Sequence, residues 1–163
     1  MLRLGAARQL KNQGSALRAS KEYEVIVPLF RASGDRVLYG RVLLEASEIA
    51  VAIGDYPHAI ERATEAAGIY AGQGDVRNEA MAVNFVGLAR LYRGEYAAAL
   101  QSFQRALEND VRLQDASGEI TRLNNINVYF FQGKYLDALQ IRERALQGAD
   151  QTTGEKWNPG RRS

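Results

Sequence analysis

Three stretches of this chain are near-copies of one another: GDYPHAIERATEAA at 54–67, GEYAAALQSFQRAL at 94–107 and GKYLDALQIRERAL at 133–146. Their glycines continue a series that starts at Gly14: Gly14, Gly54, Gly94 and Gly133, at spacings of 40, 40 and 39 residues. Five residues after each comes an alanine: Ala19, Ala59, Ala99 and Ala138. Two residues after the last three glycines comes a tyrosine: Tyr56, Tyr96 and Tyr135. Seven residues beyond the last three alanines stands a second one: Ala66, Ala106 and Ala145. A second punctuation, Gly34-Asp35 and Gly74-Asp75, follows the first two glycines by twenty residues, and its third copy reads Gln114-Asp115. A fixed period of this size is the signature of stacked supersecondary units, each too small to bury its apolar face alone.

Each unit reads as two helices. LYGRVLLEASEIAVAI and AMAVNFVGLARLY, which precede Gly54 and Gly94, combine good helix formers with apolar residues at three- and four-residue steps. After Gly94, Ala99, Leu100, Phe103, Ala106 and Leu107 form one stripe. The glycines stand where a helix end takes the left-handed conformation. Pro57 falls in a first turn, where its missing N–H costs nothing. The paired alanines are two helical turns apart, on one face, where small side chains let helices approach closely. The expectation is an all-α chain of about eight helices in four antiparallel pairs, with breaks near 13, 34, 54, 74, 94, 115 and 133. Pro28 is expected to kink or end the second helix of the first unit.

Composition excludes several classes. At 163 residues, 46% hydrophobic and 25% charged, the chain is long enough for one domain with a substantial core. A net charge of +2, from 21 basic and 19 acidic residues, is too mild to argue for nucleic acid, whose binders usually show a clustered basic face. Cysteine is absent, so disulfides and thiolate metal sites are excluded. No run of 18 apolar residues crosses a membrane. Residues 1–20 carry Arg3, Arg8, Lys11 and Arg18 without an acid, the look of a transit peptide. The same residues keep the 40-residue register through Gly14 and Ala19, which favours an ordinary helix pair of the fold. They lack a secretory h-region, and a cytoplasmic protein is expected.

No catalytic constellation emerges, and no enzyme, metal or cofactor is expected. His58 is the single histidine, early in a helix, where a solvated side chain suits it. Gly133-Lys134 resembles the end of a phosphate-binding loop, but Tyr135 replaces the Ser or Thr that would hold magnesium, and position 128 is Val. Glu45 and Glu48 share a helical face and suit acid–base work, but a solvated groove wall explains them more simply. The post-glycine tyrosines read as packing between repeats rather than as a stacking platform for bases.

The pattern Val86-Gly87, Gly94, Tyr96, Ala99, Phe103 and Ala106, repeated in phase, resembles the tetratricopeptide repeat over about residues 1–148. Arg90 replaces the aromatic expected three residues after Gly87, the closing proline is absent, and the period is about 40 in place of about 34. The longer period resembles the arrays of kinesin light chains, Pins-type adaptors, bacterial Rap-type regulators and CHAT-associated or signalling-ATPase proteins. The resemblance implies a right-handed superhelical solenoid, with units at about 1–34, 35–74, 75–115 and 116–148, then a tail or linker over 149–163.

It also implies a concave groove lined by the first helix of each unit. The matching positions are Arg8 and Lys11; Arg41, Glu45 and Glu48; Asn84, Phe85, Leu88 and Tyr92; Asn124, Asn127, Phe130 and Phe131. Asparagine is unfavourable inside a helix, so Asn84 and the run NNIN at 124–127 need a reason. One is that a carboxamide, donor and acceptor at once, grips an extended peptide backbone. The other is bonding to neighbouring helices or water. Placing the residue missing from the 39-step late sets Asn124 opposite Asn84. Phe85, Tyr92 and Phe130 would supply anchor pockets. The expected peptide-binding set is therefore Asn84, Asn124, Asn127, Arg41, Glu45, Glu48, Phe85, Tyr92 and Phe130. A clamp on a C-terminal carboxylate by Arg8, Lys11 and Arg41 is disfavoured by Glu45 and Glu48.

The expected function is a non-enzymatic scaffold that binds a peptide or helix of another protein. The alternative is a small-molecule-sensing repeat module of a larger regulator, marked by a polar pocket with convergent amides. The last helix, YLDALQIRERALQ, keeps an apolar face, and GADQTTGEKWNPGRRS after it cannot stack as another helix. This predicts either a segment of a longer array or self-association through that end, with Trp157 unpacked.

Overall fold

The computed structural model describes residues 2–130 and 142–143. Seven α-helices are described: α1 Leu2–Asn12, α2 Ala16–Ser33, α3 Arg36–Ile53, α4 Tyr56–Gln73, α5 Val76–Tyr92, α6 Tyr96–Arg112 and α7 Ala116–Phe130. Consecutive helices pack against each other along the chain, and α5 also touches α3 and α7 directly. The architecture is a helical repeat solenoid, with α1, α3, α5 and α7 as first helices and α2, α4 and α6 as second helices. The expected eighth helix, Gly133, Ala138, Ala145 and the 149–163 tail with Trp157 lie outside the described residues.

The breaks fall where the period places them. Gly14, Gly34, Gly54, Gly74 and Gly94 adopt φ of 73°, 75°, 80°, 70° and 78°, a region closed to most side chains by Cβ contacts. Gln114, which stands where Gly34 and Gly74 stand, takes the same conformation at φ 53°. Asp35, Asp75 and Asp115 cap the next helices, accepting from the backbone N–H of Leu38, Asn78 and Gly118 at 3.0, 3.1 and 3.2 Å. The three caps are spaced by 40 and 40, so the single missing residue of the 39-step lies after Asp115.

The paired alanines are the contact points between helices. Ala19, Ala59, Ala66, Ala99 and Ala106 are all 0% exposed. Tyr56 packs on Ala50, Ala59 and Ala89, and Tyr96 packs on Leu91, Ala99 and Phe103, which is the packing role expected of them. Residues 2–33 form a helix pair whose Leu4, Ala7, Tyr23 and Ile26 share one core with Val42, Ala46 and Ile49 of α3.

Pro28 does not end its helix: α2 runs through it to Ser33. Pro28 and Glu24 are both exposed. The Glu24 carbonyl, which loses its i+4 donor to the proline, therefore lies on a face that water reaches.

Candidate functional site

The joint between α1 and α3 is closed by charge. Arg8 grips Glu45 with two parallel bonds, Nε to Oε2 at 2.9 Å and Nη2 to Oε1 at 2.7 Å. The hydroxyl of Tyr23, itself 0% exposed, donates to the same Glu45 Oε2 at 2.8 Å. Burial, and then Glu45 itself, push the Tyr23 phenol upward, and the Glu45 hydrogen bond raises Arg8. Lys11 pairs with Glu48 one turn further on. Of the expected binding residues, Glu45 is thus held by Arg8 and Tyr23, and Glu48 by Lys11. Two of the three basic groups of the disfavoured carboxylate clamp, Arg8 and Lys11, already have internal counter-ions. Arg41 is exposed on the same helix.

The joint between α5 and α7 is closed by amides. Asn125 Nδ2 donates to Asn84 Oδ1 at 2.5 Å, and Asn84 is 6% exposed. The expectation that Asn124 faces Asn84 is corrected here. Asn124 occupies the equivalent helical position, nine residues after its aspartate cap, but is exposed. Adjacent first helices do not run in strict register, so the neighbour across the joint is one residue later. Asn127 is half-buried. Phe85 is half-buried, and Leu88 packs on the core around Leu91 and Phe103. Tyr92 is 58% exposed, its ring stacked on Tyr56 with centroids 5.7 Å apart. The side chain of Phe130 and all of Phe131 lie outside the described residues.

Between α5 and α7 lies a cavity of about 430 Å³. Met81, Asn84 and Phe85 of α5 form one side, Gly118 and Arg122 of α7 the other, and Asp110 of α6 also lines it. The Arg77–Asp115 ion pair belongs to the same lining. Asp110 is 1% and Arg122 5% exposed, with Arg122 Nε 3.2 Å from Asp110 Oδ2. Neither of those two atoms has a hydrogen-bond partner among the described residues. Burial is the main influence on both groups: it pushes the Asp110 carboxyl up, against the pull of Arg122, and lowers the Arg122 guanidinium. The carboxylate reaches this place because α7 has glycine at 118, where an added Cβ would stand 2.6 Å from Asp110 Cγ.

The residues read from the sequence supply two members of this cavity, Asn84 and Phe85. Asp110 and Arg122 were missed, although a signal existed. Asp110 continues the stripe Phe103, Ala106 by four residues, and Arg122 precedes the buried Ile126 by four. A charge on the apolar face of each of two consecutive helices is the mark of a buried pair. His58 is exposed, bonded through Nδ1 to its own helix cap Asp55 at 2.8 Å. Among the described residues no helix is long and apolar enough to cross a membrane. Comparison with protein-family models and with curated proteins finds no match for this chain.

Proposed function

We propose that the chain is a cytoplasmic, tetratricopeptide-like interaction module, without enzymatic activity, that holds an extended segment of another protein along its first helices. The observation that carries this reading is the cavity between α5 and α7. Asn84 and Phe85 of the expected binding set line it. A half-buried aromatic beside fixed amides is the form that anchor pockets for peptide side chains take. Arg41, Asn124 and Tyr92 are exposed and extend a polar and aromatic surface on the same set of helices.

The buried polar groups in that cavity also favour a second reading, a module that senses a small molecule. Its volume falls within the range of about 300–1,000 Å³ common for such ligands. One experiment separates the two. A random-peptide display selection and a metabolite panel are run against the same full chain, with thermal shift as the common readout. The peptide reading expects a peptide that stabilises the chain and perturbs amides near Arg41, Asn84 and Asn124. A footprint on His58, Glu61 and Arg105 of the second helices would sink it, and stabilisation by a metabolite alone would establish the second reading.

A further inference from the structure

Successive joints of the stack repeat every forty residues, and two of them differ in charge. Between the second helices α2 and α4, Arg62 Nη2 donates to Glu24 Oε1 at 2.5 Å, and Arg62 is 7% exposed. Forty residues on, the same two positions between α4 and α6 are Ser102 and Thr64. Two hydroxyls stand where the ion pair stood. A guanidinium nevertheless reaches this joint, from the first helix α5. Arg90 comes forty residues after the buried Ala50. Its Nη1 lies 3.3 Å from Ser102 Oγ and 3.4 Å from the Ala98 carbonyl oxygen. The second joint thus keeps the cation of the first and lacks its carboxylate.

The two Arg90 bonds are long and both use one nitrogen. Arg90 Nε and Nη2 have no hydrogen-bond partner among the described residues, and unlike Arg122 Nε they are not sealed from solvent. This is the edge with which Arg8 takes both oxygens of Glu45. Arg90 lines a cleft of about 440 Å³ between α4, α5 and α6, and Ala67, Val83 and Val86 give that cleft an apolar wall. Among the described residues the other charged group of the lining is Arg105, a second guanidinium, which is paired with Glu79 at 2.5 Å. Glu61 and Glu108 of the flanking helices are exposed to water. With Arg105 matched, the lining keeps an excess of one positive charge. A cation meets that excess, an amide leaves it, and a phosphate dianion overshoots it. One carboxylate cancels it and takes the open fork.

We propose that the cleft between α4, α5 and α6 is a binding site for a carboxylate on a short apolar stem, received by Arg90. The ligand supplies the anion that Glu24 supplies one joint earlier. The cleft shares no lining residue with the α5–α7 cavity, so the site goes beyond the peptide reading and does not depend on it.

The test uses the full chain and four probes: butyrate, N-acetyl-glutamate amide, the neutral isostere butyramide, and inorganic phosphate. NMR follows the Arg90 Nε–H, the Gly68 amide and the Gln101 side-chain amide. At least one carboxylate is expected to shift these signals saturably, with butyramide at least about tenfold weaker. Preference for N-acetyl-glutamate amide assigns the carboxylate to a protein side chain, and preference for butyrate assigns it to a free acid; either supports the site. Arg90→Met is expected to abolish the response. Because that change also alters packing around Ser102, Thr64→Glu, at an exposed position lining the cleft, provides an independent block. It restores the carboxylate that this joint lacks and is expected to abolish binding, whereas the uncharged Thr64→Gln keeps it. Equal binding of butyramide, tighter binding of phosphate, or no saturable response to either carboxylate overturns the proposal. So does an undiminished response in Thr64→Glu, or an equal loss in Thr64→Glu and Thr64→Gln.

Discussion

The ring of Phe103 lies against the bare Cα of Gly87. A Cβ built on Gly87 would stand 2.5 Å from Phe103 Cε1 and 2.7 Å from Cδ1, and Phe103 is 0% exposed. The absence of one methyl group thus sets how closely α5 and α6 pack. Gly68 in α4 is the contrast: it is exposed, and an added Cβ there meets nothing within 4 Å. Intrinsic propensity favours alanine over glycine in a helix by about 1 kcal/mol at either place. We predict opposite signs. Gly68→Ala stabilises by up to about 1 kcal/mol, whereas Gly87→Ala costs about 1–3 kcal/mol by overpacking. Thermal denaturation of the two variants measures this, and a Gly87→Ala protein as stable as the parent would mean that the two helices are spaced differently.

The attachment of α1 rests on Glu45 more than on Glu48. Glu45 holds Arg8 by two bonds and accepts a hydrogen bond from the buried Tyr23 hydroxyl, while the Lys11–Glu48 pair has 30% and 42% of its side-chain surfaces in solvent. Glu45→Ala leaves a buried phenol without an acceptor, at a cost of about 1–3 kcal/mol. Glu48→Ala breaks a partly exposed pair worth about 0–1 kcal/mol. Hydrogen exchange is the sharper measurement. Amides of α1 are expected to lose protection in Glu45→Ala while those of α5 and α6 keep theirs. Uniform loss across all helices would show that α1 does not open on its own.

The repeat was legible because it is written in residues that have few substitutes. A left-handed helix end wants glycine, a helix cap wants aspartate, and a close crossing wants alanine, so Gly54, Asp75 and Ala99 announce their places. What joins one unit to the next is not written in that way. The period fixes the face on which a residue lies but not the residue it meets across a joint. Arg8 meets Glu45 and Lys11 meets Glu48 at separations of 37, while Asn84 meets Asn125 at 41. A rule of 40 therefore pairs Asn84 with the wrong asparagine. Asp110 and Arg122 escaped for a related reason. Each taken singly is one charge interrupting an apolar stripe, and only the stacking of α7 on α6 shows that the two meet.

The Asp110–Arg122 pair gives a pH dependence with a definite sign. Burial raises the folded carboxyl above its ordinary 3.8. Folded Asp110 therefore keeps a proton at pH values where the unfolded chain has released it. The stabilisation linked to that proton is fully present below the ordinary value and is lost as pH rises through the raised one. Replacement of both charges by apolar groups, Asp110→Leu with Arg122→Met, removes this dependence, and is expected to be neutral or stabilising by about 1–4 kcal/mol near pH 7. The advantage of the double variant over the parent should shrink as pH falls toward 4. Arg122→Met alone leaves a buried carboxylate unpaired and is expected to cost about 3–5 kcal/mol near pH 7. Urea unfolding of the three proteins between pH 4 and pH 7 tests the set. A gap between parent and double variant that does not change with pH would mean that Asp110 titrates as an ordinary surface carboxylate.

The amide pair gives the last prediction, because it decides between two uses of the same residues. Asn84 is 6% exposed and accepts from Asn125 at 2.5 Å. Asn84→Ala leaves the Asn125 amide without that acceptor, but Asn125 is only half-buried and water can replace part of the loss. A net hydrogen bond of this type contributes about 0.5–1.5 kcal/mol. In a double-mutant cycle with Asn125→Ala, a coupling energy of that size is expected. Asn124, exposed and one residue away, should show none with Asn84, and Asn124→Ala should leave stability within about 0.5 kcal/mol of the parent. Peptide affinity, measured on the same variants with a selected ligand, then reports function. If the amides hold a bound backbone, Asn84→Ala and Asn125→Ala each weaken binding by more than their effect on stability predicts. If affinity stays unchanged while the stability coupling appears, the pair serves only to join α5 to α7, and the segment runs elsewhere on the solenoid.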